Sequence, residues 1–121
     1  EATVKTPKID FNSSDGFISI SGISIPEDPQ EFFEPLDVEL NHYISSPAEN
    51  TSLEFKLEYF NTSTTLIIRN LIRRLHNLSG KTNLIVKWYF ETDDEDMEEA
   101  GGEFKMLFKD INFDIIGVEK L

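Results

Sequence analysis

The sequence predicts an α/β protein with α+β-like layering: a small, mixed five-stranded sheet with helices packed on one face. Three observations point to it. Five segments carry strand patterning and three carry helical spacing, in the order β-β-α-β-α-β-α-β. Residues 53–59, "LEFKLEY", alternate strictly, with Leu53, Phe55, Leu57 and Tyr59 on one side and Glu54, Lys56 and Glu58 on the other. Such a strand has one dry face and one wet face, whereas a strand covered by helices on both faces would be apolar throughout. Finally, 121 residues at 39% hydrophobic, with ten Phe, suffice for one core, so a single domain over 1–121 is expected, with residues 1–6 as a flexible tail.

Each element has its own signal. Residues 8–21 read as a hairpin: Ile9 and Phe11 alternate, "NSSDG" supplies a turn ending in Gly16, and Phe17, Ile18 and Ile20 resume. After the Pro-rich loop "SIPEDPQ", Asp28 suits an N-cap, Pro29 the first helical position and Glu31 the third. The helix that follows aligns Phe33, Leu36, Leu40 and Tyr43 or Ile44, and Pro35 predicts a kink or break inside it. The alternating strand comes next. A second helix over 63–78 places Ile68, Leu71, Leu75 and Leu78 on one face and Arg69, Asn70, Arg73 and Arg74 on the other, and Gly80 stops it. "NLIVKWYF" at 83–90 is a strand. The acidic run that follows opens a third helix, in which Phe104, Leu107 and Phe108 can face the core and Gly101-Gly102 is a weak point. "NFDIIGVE" is the last strand.

Charge excludes several functions. Twenty-three acids against eleven bases give a net charge of −12, which disfavours nucleic acid and anionic membrane as partners. Without Cys there are neither disulfides nor thiolate metal sites. The opening "EATVKTPKID" has no apolar leader and no run approaches membrane-spanning length, so a cytoplasmic location is expected. Triplets such as Asn50-Thr51-Ser52 and Asn61-Thr62-Ser63 read as chance matches to a glycan acceptor.

Little catalytic chemistry is available. His42 and His76 are the only imidazoles. His76 lies fourteen residues beyond Thr62, roughly 20 Å along a helix at 1.5 Å per residue. The acids Asp93, Asp94, Glu95, Asp96, Glu98 and Glu99 lack the Gly and the spacing of an EF-hand and read as a solvated helix start. Gly101-Gly102 lacks the Lys and glycine spacing of a phosphate loop. No cofactor and no metal are expected, and no enzyme activity.

Residues 62–65 are four hydroxyls in a row, Thr62, Ser63, Thr64 and Thr65, at the junction of a strand and a helix. Any of Asn61, Thr62 or Ser63 makes a good cap. Capping does not exclude modification. A phosphate there would meet free backbone N–H groups at the positive helix end.

The segments "TPKIDF", "GFISISGISIPEDPQEFFEPL", "LEFKLEYFNTST" and "VKWYFETDDEDMEEAGGEF" resemble, in the same order, the SiaC-type regulatory phosphoproteins. The likeness runs from about Thr6 to Glu119. The resemblance implies a fold like that of anti-sigma-factor antagonists of the STAS type, and a non-enzymatic role in a partner switch. In such systems a serine/threonine kinase phosphorylates a hydroxyl in the NTS segment and a PP2C-like phosphatase removes the phosphate. The modification state then governs binding to a target, a diguanylate cyclase in characterised systems. The modified residue maps onto Thr62, with Ser63 as its competitor and Asn61, Ser63 and Thr64 shaping the turn. Phe60, Arg69 and Arg73 are candidates for the partner surface, the alternative being that the arginines pair with surface acids. The rival functional reading is a STAS-like small-ligand-binding module without phosphorylation. A purely oligomerising domain fits the wet strand face less well.

Overall fold

The computed structural model describes residues 3–78 and 80–121. The elements follow the predicted order: β1 (Lys8–Asn12), β2 (Phe17–Ser24), α1 (Pro29–Ser45), β3 (Asn50–Phe60), α2 (Thr62–His76), β4 (Asn83–Glu91), α3 (Glu95–Leu107) and β5 (Asn112–Val118). The five strands form one sheet in the order β1-β2-β3-β4-β5. β1 and β2 are an antiparallel hairpin; β2, β3, β4 and β5 run parallel. Each helix joins neighbouring parallel strands that advance in one direction across the sheet, and crossovers of the usual right hand place all three on one face. The mixed sheet with a single helical layer is therefore as expected. Thr3 to Thr6 form a hydrogen-bonded turn, and the Lys5 carbonyl accepts from the Ile25 amide at 2.7 Å. Of the tail expected over 1–6, residues 1 and 2 lie outside the described residues.

The dry faces meet in one core centred on Trp88, which is fully buried. Its indole lies 5.2 Å from the Phe55 ring, 5.4 Å from Phe104 and 5.9 Å from Phe60. Its N–H donates to the Met97 carbonyl across 3.0 Å, as a buried indole requires. Gly101 makes this packing possible. A Cβ there would stand 2.4 Å from the indole Cδ1, whereas one on Gly102 would meet nothing within 4 Å. Gly101 is thus a close-approach position and not a weakness. On the uncovered face Glu54 is in register with Lys87, and Lys87 with Asp114. Lys56 lies 3.7 Å from Glu54 and 5.1 Å from the centre of the Tyr89 ring, so charge and aromatic surface alternate there.

Four further sequence expectations change. Of the kink or break expected at Pro35, the break does not occur: α1 is one helix from Pro29 to Ser45. Burial of Phe33, Leu36, Leu40 and Tyr43 holds both sides of the proline against the sheet, which outweighs the lost hydrogen bond. Second, α2 begins at Thr62, one residue early. Third, Leu107 is 53% exposed. The core stripe of α3 runs through Met97, Gly101 and Phe104 to Phe108, at spacings of four, three and four, and Leu107 falls beside it. Fourth, Tyr59 is 58% exposed, not on the dry side. Gly22 pairs with Leu57 but Ile23 with Tyr59, so Glu58 is an extra residue on β3. This bulge reverses the alternation and turns Phe60 toward Trp88.

Candidate functional site

The bulged end of β3 leads directly into α2. Asn61 between them has an extended backbone, and its N–H donates to the Ser24 carbonyl at the end of β2, 3.1 Å away. Its Oδ1 accepts from the Thr64 amide at 3.1 Å, making it the N-cap. The same oxygen accepts from the Ser63 hydroxyl at 2.9 Å.

The remaining hydroxyls divide their roles. Thr64 is buried, with its Oγ1 donating to the Ser24 carbonyl at 3.1 Å and lying 2.8 Å from the Ser24 hydroxyl, itself fully buried. This pair ties the start of α2 to the end of β2. The Thr65 hydroxyl turns back to the Asn61 carbonyl at 3.4 Å. Thr62, the first helical residue, is exposed, and its hydroxyl has no hydrogen-bond partner among the described residues. The row of hydroxyls is thus a cap partner, an inter-element tie, a backbone bond and one free group.

For so acidic a chain, the start of α2 is poor in acids. The first turn of α2 holds no acid, whereas α1 has Glu31 there and α3 has Glu95, Asp96 and Glu98. By helix geometry the Thr62 and Ser63 amides lack intrahelical acceptors, and the helix end carries partial positive charge. Thr62, Leu66, Arg69 and Arg73 follow one another at spacings of four, three and four, so they form one stripe along α2. Leu66 is 55% exposed. Arg73 is exposed and Arg69 half-buried, where full exposure of both was expected. Arg69 lines a groove of about 220 Å³ between α2 and α3, together with Phe60, Thr65, Phe104, Leu107 and one acid, Glu103. The groove explains its partial burial, because its stem lies along apolar surface.

Arg74 does not belong to this stripe. Its guanidinium bonds to Asp37 at 2.7 Å and Asn41 at 2.6 Å on α1. Arg69 and Arg73 form no ion pair among the described residues. Phe60, the aromatic candidate for the partner surface, is half-buried, at once edge-on to Trp88 and a wall of the groove. Sequence reasoning missed Leu66 and Leu107. Leu66 had a signal: it is the apolar residue on the polar face of α2, one turn after Thr62.

His42 is exposed near the end of α1 and His76 half-buried at the end of α2, neither bonded to the hydroxyl row. Among the described residues no three potential metal-ligating side chains cluster. No helix of the described residues is long and apolar enough to cross a membrane.

Comparison with known proteins bears on the fold and the family. A sequence model of the SiaC family regulatory phosphoproteins matches residues 1–118. An uncharacterised protein of Pseudomonas aeruginosa strain UCBPP-PA14 is 24% identical over 104 residues, spanning 85% of this chain and 82% of that protein. The crystal structure of apo-SiaC from Pseudomonas aeruginosa superposes with a TM-score of 0.77 at 23% identity, covering 96% of this chain and 93% of that one. SiaC in the crystal structure of the diguanylate cyclase SiaD with its activator SiaC, from the same species, gives 0.76 at 24%, with the same coverage. The fold is shared, and the match over nearly the whole length places the chain in the SiaC family of regulatory phosphoproteins, with a regulatory and not an enzymatic role.

Proposed function

We propose that this protein is the phosphorylated component of a partner switch, with Thr62 as the switch residue. A serine/threonine kinase adds one phosphate to Thr62, a PP2C-like phosphatase removes it, and the two states bind a target protein differently. The target class suggested by the Pseudomonas complex is a diguanylate cyclase. One observation carries the reading: Thr62 is the member of the hydroxyl row that is both exposed and free of hydrogen bonds among the described residues.

The chemistry follows from that position. A phosphate on Thr62 adds about −1.5 to −2 charges at a helix end without an acid in its first turn. The free amide N–H groups can donate to its oxygens without unfolding the domain. It also stands at the head of the stripe through Leu66, Arg69 and Arg73. A target that reads this stripe meets a changed charge in the phosphorylated state, so affinity changes without refolding.

The test is incubation with the cognate kinase and ATP, followed by intact mass and peptide mapping of wild type and Thr62→Ala. The expected result is one phosphate on wild type and none on the variant. Equal incorporation in both, or incorporation confined to Ser63 or Thr64, rejects the assignment. Native mass spectrometry separates the small-ligand alternative, which requires a bound molecule on the purified protein.

A further inference from the structure

β1 stands at the end of the sheet order. One of its backbone edges pairs with β2 and the other faces outward. Beside it, between β1 and α1, runs a groove of about 240 Å³. Ile9 and Phe11 line it from the strand; Phe32, Pro35 and Leu36 line it from the helix. Ile9, Phe11 and Phe32 are only half-buried against the core. Glu39 is the charged residue of the lining, and it forms no ion pair among the described residues.

We propose that this edge and groove together take an extended, basic and apolar segment of a partner protein, added as a further strand beside β1. The geometry serves both halves of such recognition. The outward edge of β1 offers backbone N–H and C=O groups, which bind an extended chain whatever its sequence. Alternation then selects the sequence. On β1 the side chains of Ile9 and Phe11 lie on the helix side, and Lys8, Asp10 and Asn12 on the open side. Every second side chain of an added strand falls in line with Ile9 and Phe11 and so enters the groove. β1 has five residues, so two apolar side chains in line with Ile9 and Phe11 and one basic side chain toward Glu39 suffice.

Charge decides the occupant. Glu39 in the groove and a net charge of −12 favour a basic segment. A second copy of this chain would bring the same −12 to the contact, and like charges oppose it. This groove shares no residue with the groove beside Thr62, so the proposal stands apart from the phosphorylation switch.

The test is amide NMR of the isotope-labelled full chain, titrated with a pool of acetylated six-residue peptides whose groove-facing alternate positions carry two of Val, Leu or Phe and one Lys, the Lys set to meet Glu39. Saturable shifts confined to residues 8–12 and 32–39 are expected. Peptides N-methylated at alternate backbone nitrogens should lose binding, because they cannot pair with the strand edge. Glu39→Lys, an exposed position, should weaken binding at least tenfold while leaving the other amide signals in place. Absence of saturable shifts, shifts centred elsewhere, or equal binding of the N-methylated pool would overturn the proposal. So would a dimer in sedimentation whose contact maps to β1, since that assigns the edge to a second copy.

Discussion

The Ser63 hydroxyl donates to the Asn61 side-chain oxygen across 2.9 Å, while Thr62, between them in the chain, points to solvent with its hydroxyl free of partners among the described residues. Adjacent hydroxyls on one helical turn therefore differ in cost of modification. A phosphate on Ser63 breaks a bond to the cap; a phosphate on Thr62 breaks none.

That asymmetry predicts the stabilities of three variants. Asn61→Ala removes the N-cap acceptor and should cost about 1 kcal/mol. Thr62→Ala should stay within about 0.5 kcal/mol of wild type, as surface substitutions do. Ser63→Ala should fall between them. Urea denaturation of the three proteins checks the order; a Thr62→Ala loss as large as that of Asn61→Ala contradicts the assignment of the cap.

Thr64→Val keeps the shape of the buried side chain and removes both of its bonds to Ser24. The Ser24 hydroxyl is fully buried, so it loses its partner with no water to replace it. The expected loss is about 1–3 kcal/mol. Circular dichroism melts measure it, and Ser24→Ala combined with Thr64→Val should recover part of the loss, because no orphaned hydroxyl remains.

Gly101→Ala and Gly102→Ala form a matched pair. The first places a methyl within 2.4 Å of the Trp88 ring; α3 must move or the indole must turn, at about 1–3 kcal/mol for overpacking. The second meets open space and should stabilise the helix by up to about 1 kcal/mol. Equal effects in chemical denaturation would show that α3 does not sit on Trp88 as described. Trp88 fluorescence should shift for Gly101→Ala alone.

If Thr62 heads the target surface, the rest of its stripe should matter for the same contact. Leu66→Glu, and Arg69→Glu with Arg73→Glu, should each weaken target binding at least tenfold, or about 1.4 kcal/mol, with thermal stability almost unchanged. Arg74→Ala is the control. It breaks an ion pair to α1, and since Asp37 is 60% exposed the cost is within about 1 kcal/mol, with no effect on the target. Isothermal titration against the purified target measures all three; undiminished affinity of the Arg69→Glu, Arg73→Glu protein removes the stripe from the interface.

Local pattern alone determined the elements of this protein. Period-two runs became strands, the 3.6-residue stripe of Ile68, Leu71 and Leu75 became the buried face of α2, and Asp28-Pro29 opened α1, because each signal lies within a few residues of chain. The alternation of 53–59 also announced the one-sided helical layer, although Tyr59 at its end lies on the exposed side. Other features depended on residues far away in sequence. Asn61, Thr62 and Ser63 were equal candidates for the cap until the Ser24 carbonyl at the end of β2 drew in the Asn61 amide and the Thr64 hydroxyl. Tyr59 looked buried until pairing with β2 left Glu58 over as an extra residue. Gly101 looked like a flaw until the indole of Trp88 lay against it. In each case local propensity left several conformations close in energy, and a hydrogen bond or packing contact from another element selected one.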